Sequence, residues 1–339
     1  MRLLFIGFGT VGQGLAELLL KNKDELFSRY GIGYSVVGIS DNLKGSIIDS
    51  RGIDLAAALK VVQSGRSLSD LSDEKFYGKA LDMLAAVDAD VMFEATYTDI
   101  KTGEPATSHI RNALERNINV ITTNKGPLAL YYQELAELAR ENKVKFLFEG
   151  TVMSGTPVLN LLRETLAGST VKEVKGILNG TTNYILTRME EGLSYDDALK
   201  KAQELGYAEA VPDADVLGWD ALAKVTILAR VIFGAKERPF DFPCEGITGI
   251  SAADIIEAKS RNKRYKLIGK IWREGSITKA SVGPEEVDLS HPLAGIMGAT
   301  NAITITSDEL GDVTVVGPGA GKFETGFSML VDFISIARE

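Results

Sequence analysis

The stretch Arg2-Leu3-Leu4-Phe5-Ile6-Gly7-Phe8-Gly9-Thr10-Val11-Gly12 decides how this chain is read. Residues 2–6 form a short apolar strand, and residues 10–20 place leucines and alanines at helical spacing. The turn between them fits G-x-G-x-x-G, a weak motif alone but a specific one between a strand and an amphipathic helix. Gly7 permits the tight turn, Gly9 lets backbone approach a pyrophosphate, and Gly12 lets helix pack closely on strand. The helix start offers free N–H groups to the phosphates. Gly7, Phe8, Gly9, Thr10, Val11 and Gly12 are therefore expected to hold a dinucleotide.

Working outward, a polar stretch from Lys21 to Gly33 precedes a second strand, Tyr34 to Ser40. That strand should end beside the adenine ribose, at Ser40 and Asp41. An acid there accepts the 2′-hydroxyl of NAD, whereas Ser40 with Lys44 could hold the 2′-phosphate of NADP, so both cofactors stay open. The segment 43–72 is less regular, with a helix at 54–64. Helices near 78–87, 105–116 and 127–142 then alternate with strands at 90–95, 119–122 and 143–149. This rhythm predicts an α/β fold, a Rossmann-type parallel sheet covered on both faces, over residues 1–150. Beyond Gly150 a glycine- and threonine-rich loop leads to a helix of about ten residues. A strand at 171–178, helices at 181–190 and 195–204, and one long helix from 214 to 233 follow. Strands at 263–272, 276–283 and 302–306 complete an α+β substrate and dimerisation domain spanning 151–311. Residues 312–339, a strand, a glycine loop and a helix from Thr325 to Arg338, are expected to return to the first domain.

Composition narrows the function. The chain has 339 residues, 45% hydrophobic and 24% charged, which suits two globular domains. No apolar run approaches the roughly 18–20 residues of a membrane span. The first residues run straight into the glycine motif with no A-x-A-like cleavage site, which favours a cytoplasmic location. A net charge of −9 disfavours nucleic acid as a partner. The single cysteine, Cys244, excludes an internal disulfide, and with only His109 and His291 a His/Cys metal site is effectively excluded. Acid–base chemistry must rest on lysines and carboxylates.

Ligands of such sheets sit beyond the carboxyl ends of the strands. Two strand ends draw attention there. Thr96 follows Glu94-Ala95 and could touch the cofactor's ribose or nicotinamide. Lys125, in Thr123-Asn124-Lys125-Gly126-Pro127, stands where a helix begins. The second domain holds a denser cluster between Gly206 and Lys224. Asp220 and Lys224 are four residues apart on an otherwise apolar helix, so they project from one face and can pair. A charged pair on a buried helix is costly unless it is satisfied or used.

These residues closely resemble homoserine dehydrogenase over nearly the whole chain. The resemblance is carried by residues 7–12, Thr123-Asn124-Lys125-Gly126-Pro127-Leu128-Ala129, Glu149-Gly150-Thr151-Val152-Met153-Ser154-Gly155-Thr156-Pro157 and 176–186. Gly206-Tyr207-Ala208-Glu209, then Asp215, Gly218, Asp220 and Lys224, and Gly317-Pro318-Gly319-Ala320-Gly321 complete it. It implies NAD(P)-dependent interconversion of L-homoserine and L-aspartate 4-semialdehyde on the route to threonine and methionine. It assigns Glu209 and Asp220 to the substrate's amino and hydroxyl end, and Lys224 and Lys125 to proton transfer and carbonyl polarisation. Thr181, Gly206 and Asp215 would line the substrate pocket, and Gly321 would touch the cofactor. A monovalent cation, often sodium, would be held by backbone oxygens of Glu149, Val152, Ser154 and Thr156, and the family is usually a homodimer.

Two features depart from the family. Relatives usually read Glu-x-Asp-Pro where this chain has Glu209-Ala210-Val211-Pro212, which leaves Asp213 to compensate for the missing carboxylate. The resemblance is to a short form, in which no ACT regulatory domain is expected after the last helix and no threonine feedback through one. Two other readings are open at this point. An aspartate semialdehyde dehydrogenase would need Cys244 as nucleophile, yet no histidine lies near it in sequence. A cofactor-sensing homologue that has lost turnover would retain the glycine loop and make no NAD(P)H from L-homoserine.

Overall fold

The computed structural model describes residues 1–72 and 76–338. The chain divides into two compact units, Met1–Gly155 with Gly321–Glu339, and Thr156–Ala320. In the first unit the elements run β1 (Arg2–Ile6), α1 (Thr10–Lys21), α2 (Lys23–Tyr30), β2 (Ser35–Asp41), β3 (Gly45–Ile48), α3 (Leu55–Gln63), α4 (Ala80–Ala86), β4 (Val91–Glu94), α5 (Ala106–Glu115), β5 (Asn119–Thr122), α6 (Lys125–Glu141) and β6 (Phe146–Leu147). The sheet order is β3-β2-β1-β4-β5-β6. β1 pairs in parallel with β2 and β4, and β5 in parallel with β4 and β6.

The expected parallel sheet is present, with one exception. β3 is antiparallel to β2, joined to it by a hairpin from Asp41 to Gly45. Strand and helix periodicity did not reveal it, because four residues are too few to show alternation. The segment 21–33 contains α2, whose one buried side chain, Leu26, gives almost no apolar pattern to read. β6 is two residues long rather than seven, because Glu149–Thr151 turn into a 3-10 helix. The core of this unit stacks Phe5 on Phe93 at 5.1 Å and Phe93 on Phe333 at 5.9 Å. β1 reads as a continuous apolar run because it is buried on both faces.

The second unit contains β7 (Val171–Ile177), α7 (Gly180–Glu190), α8 (Tyr195–Glu204), α9 (Asp213–Val216), α10 (Trp219–Phe233), α11 (Ala252–Ser260), β8 (Lys263–Glu274), β9 (Ile277–Asp288), β10 (Thr300–Ser307) and β11 (Gly311–Pro318). Its sheet is antiparallel, in the order β11-β10-β7-β8-β9. The helix expected after Pro157 is instead a five-residue π-type turn, Leu161–Thr165, in which Leu166 N–H donates to Leu161 O at 2.9 Å. The expected helix from 214 to 233 is broken. Gly218 takes φ 85°, and a β-carbon there would lie 3.0 Å from Cys244 Sγ. α10 therefore starts at Trp219, which puts Asp220 in its first turn.

The last helix, α12 (Lys322–Ala337), belongs with the first unit, whereas β11 is an edge strand of the second sheet. The return to the first unit thus begins at Gly321 rather than at residue 312, and the first unit continues to Gly155 rather than ending at 150. α12 lies directly on α1. A β-carbon at Gly14 would meet Lys322 O at 2.3 Å, and one at Gly326 would meet Leu15 N at 2.7 Å. Met329, Leu330, Phe333 and Ile336 complete the first core.

One buried charge in the second unit has a measurable consequence. Lys266 on β8 is 1% exposed, and burial lowers its ammonium pKa to about 8. Its Nζ donates to Asn183 Oδ1 at 2.9 Å and to Ile296 O. Between about pH 8 and the unfolded lysine value near 10.4, the unfolded chain holds a proton that the folded chain has lost. Stability should therefore rise with pH across that window, by up to about 3 kcal/mol from this group. Urea unfolding at pH 8 and pH 10 measures it, and Lys266→Met should flatten the slope.

Candidate active site

In the first unit the glycine loop meets its geometric requirements. Gly7 takes φ 94°, and a β-carbon there would lie 2.4 Å from Ala95 O; at Gly12 it would lie 2.6 Å from Gly7 O. At Gly9 it would meet no atom within 4 Å. Two glycines are thus demanded by packing, and the third faces open space, as a backbone that receives a pyrophosphate must. Gly9 also precedes α1 without any side-chain cap, leaving first-turn N–H groups for an anion. Thr10 is exposed and Val11 half-buried at this turn. The Phe8 side chain is fully buried, so only its backbone faces the loop, and its N–H donates to Asp41 Oδ2 at 2.8 Å.

Asp41 is the organiser of the β2 end. Its other oxygen accepts from the Leu43 and Lys44 N–H groups at 2.9 and 3.0 Å, and Lys44 Nζ stands 3.8 Å away. Ser40 does not join this surface. Its hydroxyl is buried against Ser46 Oγ at 3.0 Å, which removes the expected phosphate contact from its side chain. Thr96 lies at the β4 end, where its N–H donates to Glu94 Oε1 at 3.2 Å and its hydroxyl bonds the same oxygen. Lys125 is half-buried as the first residue of α6, whose N-cap, Asn124, accepts from Gly126 N–H at 3.4 Å. Gly321 precedes α12 with φ 146°.

In the 149–157 loop, Glu149 is buried and its N–H donates to Asp332 Oδ2 at 2.9 Å. Val152 is buried, and Met153 and Ser154 take φ 57° and 55° in succession, a reversal that interrupts any regular backbone bonding. Ser154 Oγ pairs with Thr325 Oγ1 at 2.7 Å. Thr156 belongs to the second unit, where its hydroxyl donates to Pro318 O at 3.0 Å. The loop offers oxygen donors of the kind a hard cation takes. Among the described residues no three His, Cys, Asp or Glu side chains cluster as metal ligands.

The second unit gathers the charged residues at the end of β7. Asn179 caps α7 through Thr182 N–H at 2.9 Å, and its Nδ2 donates to Asp215 Oδ1 at 2.6 Å and Asp220 Oδ2 at 3.0 Å. Asp220 Oδ2 also accepts from Lys224 Nζ at 2.7 Å, and the same ammonium donates to Leu178 O at 2.6 Å. Lys224 is 6% exposed, so this is a buried pair held by hydrogen bonds rather than a surface contact. Burial raises the Asp215 carboxyl above the usual range and the charge of Asp220 adds to it, while the bonds from Asn179 and Thr181 and the charge of Lys224 oppose the rise. Thr181 Oγ1 donates to Tyr207 O at 2.6 Å, tying α7 to the segment that carries Gly206, itself at φ 75°.

Glu209, Val211 and Asp213 are all exposed. The Glu209 carboxylate has no hydrogen bond or ion pair among the described residues; only its carbonyl is held, by Gln203 Nε2 at 3.0 Å. Sequence reading assigned no role to Asn179, although it lies within the 176–186 motif. An asparagine between a strand end and a helix start is the signal that marks it. Glu94, buried at a strand end, carries no such signal. Cys244 is half-buried and donates to Leu217 O at 3.4 Å, and burial raises its thiol pKa, the opposite of what a thiolate nucleophile needs.

Residues 7–149 match the family model described as "Homoserine dehydrogenase, NAD binding domain", and residues 157–334 the one described as "Homoserine dehydrogenase". The chain is 45% identical to the NAD(+)-dependent homoserine dehydrogenase of Pseudomonas canavaninivorans, covering 99% of this chain and 96% of that protein. It is 40% identical to the homoserine dehydrogenase of Methanocaldococcus jannaschii, covering 99% and 98%. Among solved structures, a hyperthermophilic archaeal homoserine dehydrogenase in complex with NADPH aligns with a TM-score of 0.83 at 33% identity, covering 99% and 97%. One from Thiobacillus denitrificans aligns with a TM-score of 0.85 at 30% identity, covering 100% of this chain and 73% of that one. The chain belongs to the homoserine dehydrogenase family, NAD(P)-dependent oxidoreductases that act on a CH–OH group.

Proposed function

We propose that this chain interconverts L-homoserine and L-aspartate 4-semialdehyde in threonine and methionine biosynthesis, with Lys224 as the acid–base group. The observation that carries the assignment is the buried Lys224–Asp220 pair, bridged to Asp215 by the Asn179 amide. When bound, the nicotinamide supplies or accepts the hydride. In the reductive direction negative charge grows on the carbonyl oxygen, and Lys224 donates a proton from Nζ to it. Asp220 orients that ammonium, and Asn179 holds Asp220 in place. Glu209 receives the substrate ammonium. Lys125, at the first turn of α6, is the second lysine of the chemistry. The backbone oxygens of Glu149, Val152 and Ser154 would hold a monovalent cation, sodium being the family's usual one.

In the oxidative direction Lys224 Nζ accepts the hydroxyl proton. Lys224→Ala should lower kcat by about 10²–10⁴-fold while dinucleotide binding persists. Initial rates of NAD(P)H formation from L-homoserine, with a separate binding titration, test both, and near-normal kcat would remove Lys224 from this role.

The cofactor preference we assign to NAD. Asp41 closes the β2 end with its carboxylate fixed by three N–H groups, the placement that accepts a ribose 2′-hydroxyl and repels a 2′-phosphate. The relative from Pseudomonas canavaninivorans is described as NAD(+)-dependent. The expected kcat/KM is at least about tenfold higher with NAD than NADP, and Asp41→Ala should narrow that ratio. Equal values for the two cofactors would overturn the assignment.

No helix among the described residues is long and apolar enough to cross a membrane, and the proposal places the enzyme in the cytoplasm. It also includes a homodimer formed through the second unit. Glu173 and Lys175 on β7 pair directly with Trp272 and Lys270 on β8, and all four are partly open to solvent in the single chain. Sedimentation should give a mass near twice the 36.5 kDa of the chain. A monomer at micromolar concentration would contradict it.

A further inference from the structure

The carboxyl ends of β4 and β5 share a buried hydrogen-bond circuit. Glu94 is 0% exposed. Its Oε1 accepts from the Thr96 N–H and hydroxyl, and its Oε2 accepts from Thr122 Oγ1 at 3.0 Å. Thr122 Oγ1 in turn accepts from Asn124 N–H at 3.0 Å. Asn124 Nδ2 closes the ring by donating to Tyr97 O at 3.0 Å and Thr96 O at 3.3 Å. From Asn124 the chain passes directly into Lys125 and α6.

A buried carboxylate is costly unless its oxygens are satisfied, and three donors from two strand ends satisfy this one. The fourth neighbour is His109 on α5. Its Nδ1 stands 3.6 Å from Glu94 Oε1 and has no hydrogen-bond partner among the described residues, so it completes the wall of the site without joining the ring. The position matters as much as the bonding. Residue 95 is the one that Gly7 abuts, so the turn that Glu94 fixes lies against the glycine loop. One carboxylate therefore sets two backbone turns, the one after β4 that bears Thr96 and the one after β5 that bears Lys125.

We propose that Glu94 is a positioning residue for the reaction, locking Thr96 toward the dinucleotide and Lys125 at its working position. Thr122 and Asn124 are the relays between the two turns. This inference rests on the assignment of Thr96 and Lys125 to the cofactor and carbonyl chemistry. Glutamine can reproduce the circuit, since its oxygen still accepts from Thr96 and its amide can donate to Thr122 Oγ1, which then donates to Glu94 O, 3.1 Å away in the native chain. Alanine cannot.

The test uses the full chain. NADH binding is followed by fluorescence without substrate, so the result stands whether or not homoserine is turned over. Homoserine-dependent rates are measured separately. Glu94→Ala should weaken NADH binding about tenfold and lower kcat by at least as much, with the KM for homoserine changing less than about threefold. Glu94→Gln should recover both to within about threefold. If Glu94→Ala does not fold, Thr122→Val, which breaks the relay while keeping the side chain's shape, should show the same pattern more weakly. A folded Glu94→Ala protein with native NADH affinity and kcat overturns the proposal. So does a Glu94→Gln protein as impaired as the alanine variant, because that would make the charge, and not the circuit, the contribution. For the valine variant, native values in both assays also overturn it.

Discussion

At Gly7 the backbone of β1 must turn in a space that holds no side chain. A β-carbon there would overlap the carbonyl of residue 95, and its φ of 94° is one that only glycine adopts without strain. The rest of the first unit is arranged around that contact. Because β1 and the end of β4 touch at Gly7, the first turn of α1, the Asp41 hairpin and the turn after β4 all open on the same edge. Gly12 repeats the constraint one turn later, bringing α1 onto the loop. A binding edge of this kind is a consequence of backbone crowding, with the polar groups added afterwards.

The second unit solves a different problem. Two half-buried carboxylates and a buried ammonium are brought together at the end of β7, where separate charges would be unfavourable. The Asn179 amide makes the arrangement tolerable, because its two N–H groups can serve Asp215 and Asp220 at once while its oxygen caps α7. Asp220 keeps the charged form of Lys224 paired. Burial and the like charge of Asp220 raise the Asp215 carboxyl, against the bonds from Asn179 and Thr181 and the charge of Lys224.

Much of this was legible in the residues. The strand–glycine–helix order of residues 2–20 carries its own geometry, and Asp220 with Lys224 advertises a used pair through helical spacing on an apolar helix. What stayed hidden depends on contacts between distant segments. The hairpin strand β3 is too short to alternate, and the break at Gly218 looks like an ordinary helical glycine until Cys244 is placed beside it. Ser40 reads as a surface residue at a strand end, yet Ser46 across the hairpin turns its hydroxyl inward. Asn179 and Glu94 carry no periodic signal at all. Beyond the cap position that marks Asn179, their importance lies in which polar atoms surround them, a property of the folded chain.

The contact of α12 with α1 has a consequence for synthesis. The first unit is assembled from both ends of the sequence, and its core lacks Met329, Leu330, Phe333 and Ile336 until the last helix is made. Residues 156–320, by contrast, form one uninterrupted piece. On the ribosome the usual order, in which the amino-terminal domain finishes first, is therefore reversed. The nascent glycine loop must wait with part of its apolar core exposed while the rest of the chain emerges. A chaperone that binds exposed leucine- and phenylalanine-rich surface would meet this protein at its amino-terminal half, late in translation.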